Sequence, residues 1–257
     1  MELHPTAIIS PQAKLGAGVK VGPYAIIRDN VVIREHTILE AHVVIEDWTE
    51  IGENNHFYPY TVIGTPPQDL KFKGEKSLVK IGNNNIFREF ITVNRGTLGG
   101  GGITTIGNNN YFMAYSHIAH DCKVDNGVIF GNAGTLAGHV EVEDYATVGA
   151  FSGVHQFCVV GKYSFIGGYS VITKDVLPYS KSVGNRAKTY GVNFIGLRRK
   201  GFSPEAIQNI KSAYKILFQS NLNTTQALEE IESKIKNSPE VDYLVAFIRR
   251  SKRGVIK

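Results

Sequence analysis

The stretch AIISPQAKLGAGVKVGPYAIIRDNVVIREHTIL, residues 7–39, carries an aliphatic side chain at every sixth position: Ile9, Leu15, Val21, Ile27, Ile33 and Leu39. The register runs on through Ile45, Ile51, Phe57 and Ile63, returns at Ile81, Phe87 and Val93, and resumes one residue out of phase from Ile106 to Ile172. Two residues before most of these positions stand small or β-branched residues, such as Ala7, Ala13, Val19 and Ala25. A period of six fits neither the 3.6 of a helix nor the plain alternation of a strand. It is the hexapeptide repeat of a parallel β-helix. Each hexad supplies a short strand and a bend, and three close a triangular coil. Equivalent residues then stack in successive coils about 4.8 Å apart. Gly16, Gly22, Gly52, Gly64, Gly82, Gly107, Gly149 and Gly161 follow the aliphatic, and positive φ is expected of them.

Two segments break the repeat and are expected as loops, 65–79 (charged, with PPQDLKFKGEKS) and 94–103 (NRGTLGGGGI). The glycines at 99–102 do not form a phosphate loop, because no Lys-Ser/Thr pair and no helix follow them. The repeat fades near Pro178, which divides the chain into a solenoid over 1–190 and a helical domain over 191–257. Ser203-Pro204-Glu205 and Ser238-Pro239-Glu240 read as helix starts, with a further helix over about 224–236 between them. Such a domain can cover an open end of the solenoid.

The start, MELHPTAIIS, lacks the charged and apolar regions of a secretory signal, and no run reaches transmembrane length. Cys122 and Cys158 fall on inward positions two coils apart, too far for a disulfide. Free thiols suit a reducing cytoplasm. The net charge is +5, with clusters at Arg198-Arg199-Lys200 and Arg249-Arg250-Ser251-Lys252-Arg253. These read either as solvated helix faces or as a surface for a phosphate or an acidic partner. A nucleic acid fits less well, since no basic aromatic-rich module accompanies them.

His120, Gly138 and Gln156 are spaced so as to lie on one ridge in three consecutive coils, with Asp121, His139 and Phe157 on the neighbouring ridge and His117 close by. His120 and Asp121 occupy outward phases. Three readings are open at this point: a polar surface or subunit contact, a zinc site of His117, His120 and His139, and general-base catalysis by a histidine beside Asp121. Spacing alone does not separate zinc from base.

The strings HIAHDC (117–122), LAGHV (136–140), VHQFC (154–158), PQDLKFKGE (67–75), NRGT (94–97) and GVNFIGLRRKGFS (191–203) resemble the UDP-N-acetylglucosamine 3-O-acyltransferases that begin lipid A synthesis. The likeness runs from the first hexad to the RSxRG ending at Arg250 to Gly254. It implies a left-handed parallel β-helix, an exception to right-handed crossovers, followed by a C-terminal helical domain. It also implies a homotrimer with sites between subunits, and transfer of a 3-hydroxyacyl chain from acyl carrier protein. In this resemblance His120 is the general base, Asp121 orients it, and the Gly138 N–H helps hold the oxyanion. Asp69, Lys71, His117, His139 and Gln156 match positions at the sugar or diphosphate. Gln68, His155, Asn193, Arg199 and Lys200 match positions near the nucleotide or acyl donor, and Gly168 matches an acyl-chain ruler. Ile195 stands where the family often has an acidic residue, and Ala150 replaces one glycine of a pair. Neither a metal nor an organic cofactor is implied beyond the phosphopantetheine arm of the donor. The acidic carrier is expected to dock at Arg198, Arg199 and Lys200. The nearest alternatives are acylation of a 3-amino sugar and a zinc-dependent hydratase of the carbonic anhydrase type.

Overall fold

The computed structural model describes residues 1–257. Strands of mostly two residues assemble into three long sheets, here numbered 1, 2 and 3 from their first strands Glu2–Leu3, Ile8–Ile9 and Lys14–Leu15. The chain visits the sheets in rotation, so each strand pairs in parallel with its equivalent one coil away, as Ile8 with Ile26 and Ile26 with Val44. Beyond the first coil the inward positions are largely buried, with Val19, Ala25, Ile27, Ile33 and Leu39 at 1% exposure or less, while Ala7, Ile9, Ala13 and Leu15 at the open end are only partly buried. At roughly 25 cal/mol per Å² of apolar surface, this continuous interior is the main source of stability. Stacked rings of Phe57, Phe87 and Phe112, with centroids 4.6 and 4.7 Å apart, fill the inner side of sheet 1.

The repeat glycines do a different job from the one expected. Among the eight, only Gly64 has positive φ, 87°. A Cβ on Gly16 would lie 2.7 Å from Glu35 N, and one on Gly149 would lie 2.4 Å from Ile166 O. These glycines let coils approach closely; the left-handed backbone falls three residues after each aliphatic, on Tyr24, His42, Tyr60, Phe90 and Tyr115. Those rings stack on one another at 5.0 to 5.1 Å, close to the coil spacing, and this packing offsets the cost of non-glycine residues in that region.

Buried asparagines tie the middle coils together. Asn85 Oδ1 accepts from Asn110 N, and Asn85 Nδ2 donates to Gly107 O and Asn55 Oδ1, each at 2.9 Å. Replacing Asn85 by alanine would strand a buried N–H and a carbonyl, so it is expected to cost about 2–4 kcal/mol. Urea unfolding followed by circular dichroism measures this, and a loss below about 0.5 kcal/mol would remove the ladder from the list of stabilising features.

Both excursions leave the same corner, between sheets 2 and 3. The first joins Val62–Thr65 to Leu78–Ile81, and the second joins Thr92–Asn94 to Ile103–Ile106 with a short 3-10 turn at Leu98–Gly100. Thr65, Leu78, Val79, Asn94 and Ile103 are therefore strand residues, and the loops are narrower than expected. The excursions hold each other through Asn94 Nδ2 to Thr65 Oγ1 at 2.7 Å and Leu78 N to Gly102 O at 2.8 Å.

The end of the solenoid also differs from expectation. Ser180–Val183 joins sheet 1 and then turns back antiparallel against Lys188–Val192. This hairpin straddles residue 190, so no clean boundary falls there. Four helices follow: α1 Phe194–Arg199, which the hexad and cap signals did not reveal, α2 Pro204–Gln219, α3 Thr224–Lys234 and α4 Pro239–Arg250. Ser203 caps α2 through Ala206 N, whereas Ser238 makes no side-chain cap to α4. The helices bury Ile207, Ile210, Leu228, Leu244 and Phe247 against Leu177 and Tyr179. The final segment seals the last coil: Asp175 N donates to Gly254 O and Ile256 N to Asp175 O, both at 2.9 Å, and Ile256 enters the solenoid core. At the other end the first coil has no cover, and Leu3 and Ile8 are 46% and 63% exposed.

Candidate active site

His120 sits on the corner between sheets 2 and 3, just after the strand His117–Ile118. Its Nδ1 lies 2.7 Å from Asp121 Oδ2. That bond assigns the Nδ1 proton and leaves the Nε2 lone pair without a partner in the chain. Gly138, one coil below, leaves the space the ring needs: a Cβ there would lie 2.5 Å from His120 Cε1. The Gly138 N–H has no partner within the chain. His139 meets His120 edge-on at 5.1 Å and stacks on Phe157 at 4.5 Å.

Asp121 is not the outward carboxylate expected from its phase. Its side chain is 0% exposed, because the second excursion lies over it. Oδ1 accepts from Thr97 N at 2.8 Å, and Oδ2 accepts from Thr97 Oγ1 at 2.6 Å as well as from His120. Its own N–H donates to the buried Thr104 Oγ1 at 2.8 Å. Thr97 and Thr104 were not singled out from the sequence. The only trace of Thr97 was the string NRGT, whose place above Asp121 depends on the path of an excursion that carries no hexad.

His117 Nδ1 lies 2.7 Å from Thr92 Oγ1. Burial, and secondly the charge of His120, push His117 below the ordinary imidazole range. Burial likewise lowers His139, partly opposed by Asp121. Both shifts favour the neutral imidazole. For a metal, the group with ligand atoms within 4.8 Å of one another is His120, Asp121 and His139. His117 falls outside it, so the three histidines do not converge as a ligand set, and the Asp121 oxygens already accept three hydrogen bonds.

The other candidate residues are dispersed. Gln68 and Lys71 are exposed on the first excursion, and Asp69, whose Oδ1 accepts from Lys71 N at 2.9 Å, is near enough to His139 to act on its charge. His155 and Gln156 are exposed two coils below His120, with Gln156 on the His120 ridge and His155 one position before it. His139 and Phe157 continue into a cleft of about 290 Å³ bounded by Asp175, Arg250, Lys252 and Arg253. Asn193, Arg199 and Lys200 lie elsewhere. They line a groove of about 460 Å³ with Gly127, Tyr145 and Tyr163 at the corner between sheets 3 and 1. There Lys200 Nζ is 4.4 Å from the centre of the Tyr145 ring, and Asn193 caps α1 while its Nδ2 donates to Tyr163 O at 3.1 Å. Ile195 lines the same groove. Gly168 is exposed at the third corner, between sheets 1 and 2, where a Cβ would touch Ala150 O at 3.2 Å. One chain thus carries its candidate residues on three different corners. The second basic cluster is structural in part, since Arg249 pairs with Glu232 and Arg250 with Glu143.

Comparison with known proteins places this arrangement. Residues 103–138 match the bacterial transferase hexapeptide model (six repeats), and residues 175–256 match the model described as Udp N-acetylglucosamine O-acyltransferase, domain 2. A protein of Thermodesulfovibrio yellowstonii named acyl-(acyl-carrier-protein)-UDP-N-acetylglucosamine O-acyltransferase is 50% identical over 256 residues, covering 100% of this chain and 99% of its own. One of the same name from Alkalilimnicola ehrlichii is 47% identical, with 99% of each chain covered. Among solved structures, a UDP-N-acetylglucosamine acyltransferase from Bacteroides fragilis superposes with a TM-score of 0.97 at 45% identity, covering 99% of both chains. One from Acinetobacter baumannii gives 0.96 at 44%, also covering 99% of both. The solenoid is accordingly the left-handed form of the parallel β-helix. With identity of this order along its whole length, the chain is an acyltransferase and belongs to the acyl-(acyl-carrier-protein)-UDP-N-acetylglucosamine O-acyltransferase family.

Proposed function

We propose that this chain transfers a 3-hydroxyacyl group from acyl carrier protein to the 3-hydroxyl of UDP-N-acetylglucosamine, in lipid A biosynthesis, with His120 as general base. The observation that carries the mechanism is the His120 Nδ1 to Asp121 Oδ2 bond at 2.7 Å, which leaves Nε2 free to take a proton. As Nε2 takes the sugar's hydroxyl proton, the oxygen forms a bond to the thioester carbonyl carbon. The C–S bond then breaks, and the imidazolium returns its proton to the departing thiolate, giving an ester and a free thiol. The unpartnered Gly138 N–H is placed to bind the developing oxyanion. His117 and His139, with Asp69, Lys71 and Gln156, serve the sugar and diphosphate.

The dispersal of candidates over three corners supports a homotrimer in which one subunit's histidine corner meets a neighbour's groove. Asn193, Arg199, Lys200 and the ruler Gly168 would then reach the reactants from across the interface, while Gln68 and His155 belong to the same corner as His120. The exposed aromatic ridge of Tyr24, Tyr60, Phe90 and Tyr115 is a further apolar surface suited to association. Lys200 and its basic neighbours give an acidic carrier a landing surface. No helix is long and apolar enough to cross a membrane, and the free buried Cys122 and Cys158 fit a cytoplasmic setting.

A mass-spectrometric transfer assay tests the proposal, with 3-hydroxyacyl carrier proteins of several lengths, UDP-N-acetylglucosamine or its 3-amino analogue, and chelator present or absent. Chelator-insensitive ester formation on the hydroxyl sugar is expected. Preference for the amino analogue, or loss of transfer with chelator, would overturn the assignment of acceptor or of mechanism respectively.

A further inference from the structure

The geometry points to Thr97 as a positioning residue that acts through Asp121 to hold His120 in its reactive orientation. The inference rests on the reading of His120 as base and extends it one shell outward.

Regular coils repeat every 18 residues, as Tyr111 with Ile129, whereas Ile86 pairs with Tyr111 across a coil of 25. The additional residues form the second excursion, which leaves the corner one coil above Asp121 and lies flat on its carboxylate. Two glycines make this possible. A Cβ on Gly96 would lie 2.8 Å from Asp121 Oδ1, and one on Gly100 would lie 2.1 Å from Asp121 Cγ. Thr97 stands between them, 8% exposed. It heads the short 3-10 turn, yet its hydroxyl makes no cap to that turn. The hydroxyl is spent on Asp121 Oδ2 at 2.6 Å, while the N–H of the same residue takes Oδ1 at 2.8 Å. One residue thus grips both carboxylate oxygens and fixes the plane of the group. The Oδ2 lone pair left over faces His120 Nδ1. Without the hydroxyl the carboxylate keeps a single anchor, can pivot, and no longer dictates the ring's direction. A misplacement of about 1 Å at a catalytic group can cost on the order of a hundredfold in rate.

The test compares Thr97→Val, which keeps shape and loses the hydroxyl, with Thr97→Ser, which keeps the hydroxyl, in the transfer assay with UDP-N-acetylglucosamine and a 3-hydroxyacyl carrier protein. For Thr97→Val, kcat is expected to fall roughly 10- to 50-fold with the sugar KM within about twofold, a range bounded by the misplacement effect. The acid limb of the pH profile should move upward, because the carboxylate then has one donor fewer and leaves more charge for the imidazole. Thr97→Ser should restore kcat to within about threefold of wild type, a range consistent with retaining the hydrogen bond. A wild-type kcat and pH profile in Thr97→Val would overturn the inference. The same substitution is then made in His120→Ala. If Thr97 acts through His120, the residual rate of that variant is unchanged; a further fall shows a general structural effect and also overturns the inference. Full activity in His120→Ala alone would instead sink the base reading, so the two failures are distinguishable.

Discussion

Replacing His120 by alanine is expected to lower kcat for acyl transfer by about 10²- to 10⁴-fold, the range that a positioned general base contributes. The KM for the sugar should change little, because the lost group acts on the proton and not on the diphosphate. Folding should survive: Asp121 keeps its two donors from Thr97, and losing one bond to a buried carboxylate costs about 1–3 kcal/mol. Steady-state kinetics alongside a thermal melt separates the two effects. A variant that folds and turns over at the wild-type rate would remove His120 from the mechanism.

Gly138→Ala is expected to lower kcat by about a hundredfold, the penalty for moving a reacting group by about 1 Å. The added methyl would meet His120 Cε1 at 2.5 Å and Nε2 at 2.7 Å, and the ring can yield only by leaving Asp121. The backbone at Gly138 has no positive φ, so alanine is tolerated conformationally and the melting temperature should shift little. A kinetic loss without a stability loss is the signature sought. Unchanged kcat would mean that the ring tolerates a second orientation.

Much of this was legible in the chain because the hexad fixes which residues share a ridge. The alignment of His120, Gly138 and Gln156, and the inward place of Cys122 and Cys158, follow from counting coils. What counting missed lies where the chain leaves the lattice. Thr97 contacts Asp121 through an excursion whose path is set by Gly96 and Gly100, and no period reports it. The hairpin at 180–192 and α1 were hidden for a similar reason: Ser180–Val183 takes the place of one more sheet 1 strand before turning back, so the repeat is broken at that point. The repeat glycines show another limit of the period. Gly16 and most of its equivalents do not take the positive-φ turn conformation, and what they supply is the absence of a side chain between coils. The three-corner dispersal of Gly168, Arg199 and His120 was present in the numbering, but reading it required knowing which sheets flank each corner.

The two ends of the solenoid give the molecule a mechanical polarity. Each coil touches only the coils beside it, so cohesion is a nearest-neighbour quantity, like that of a zipper. The C-terminal stop is fastened by Ile256, Asp175 and the helices, while the first coil ends in bare strand edges at Leu3 and Ile8. Fraying is therefore expected to start at the N-terminus, and many teeth must open before it reaches the coil of His120.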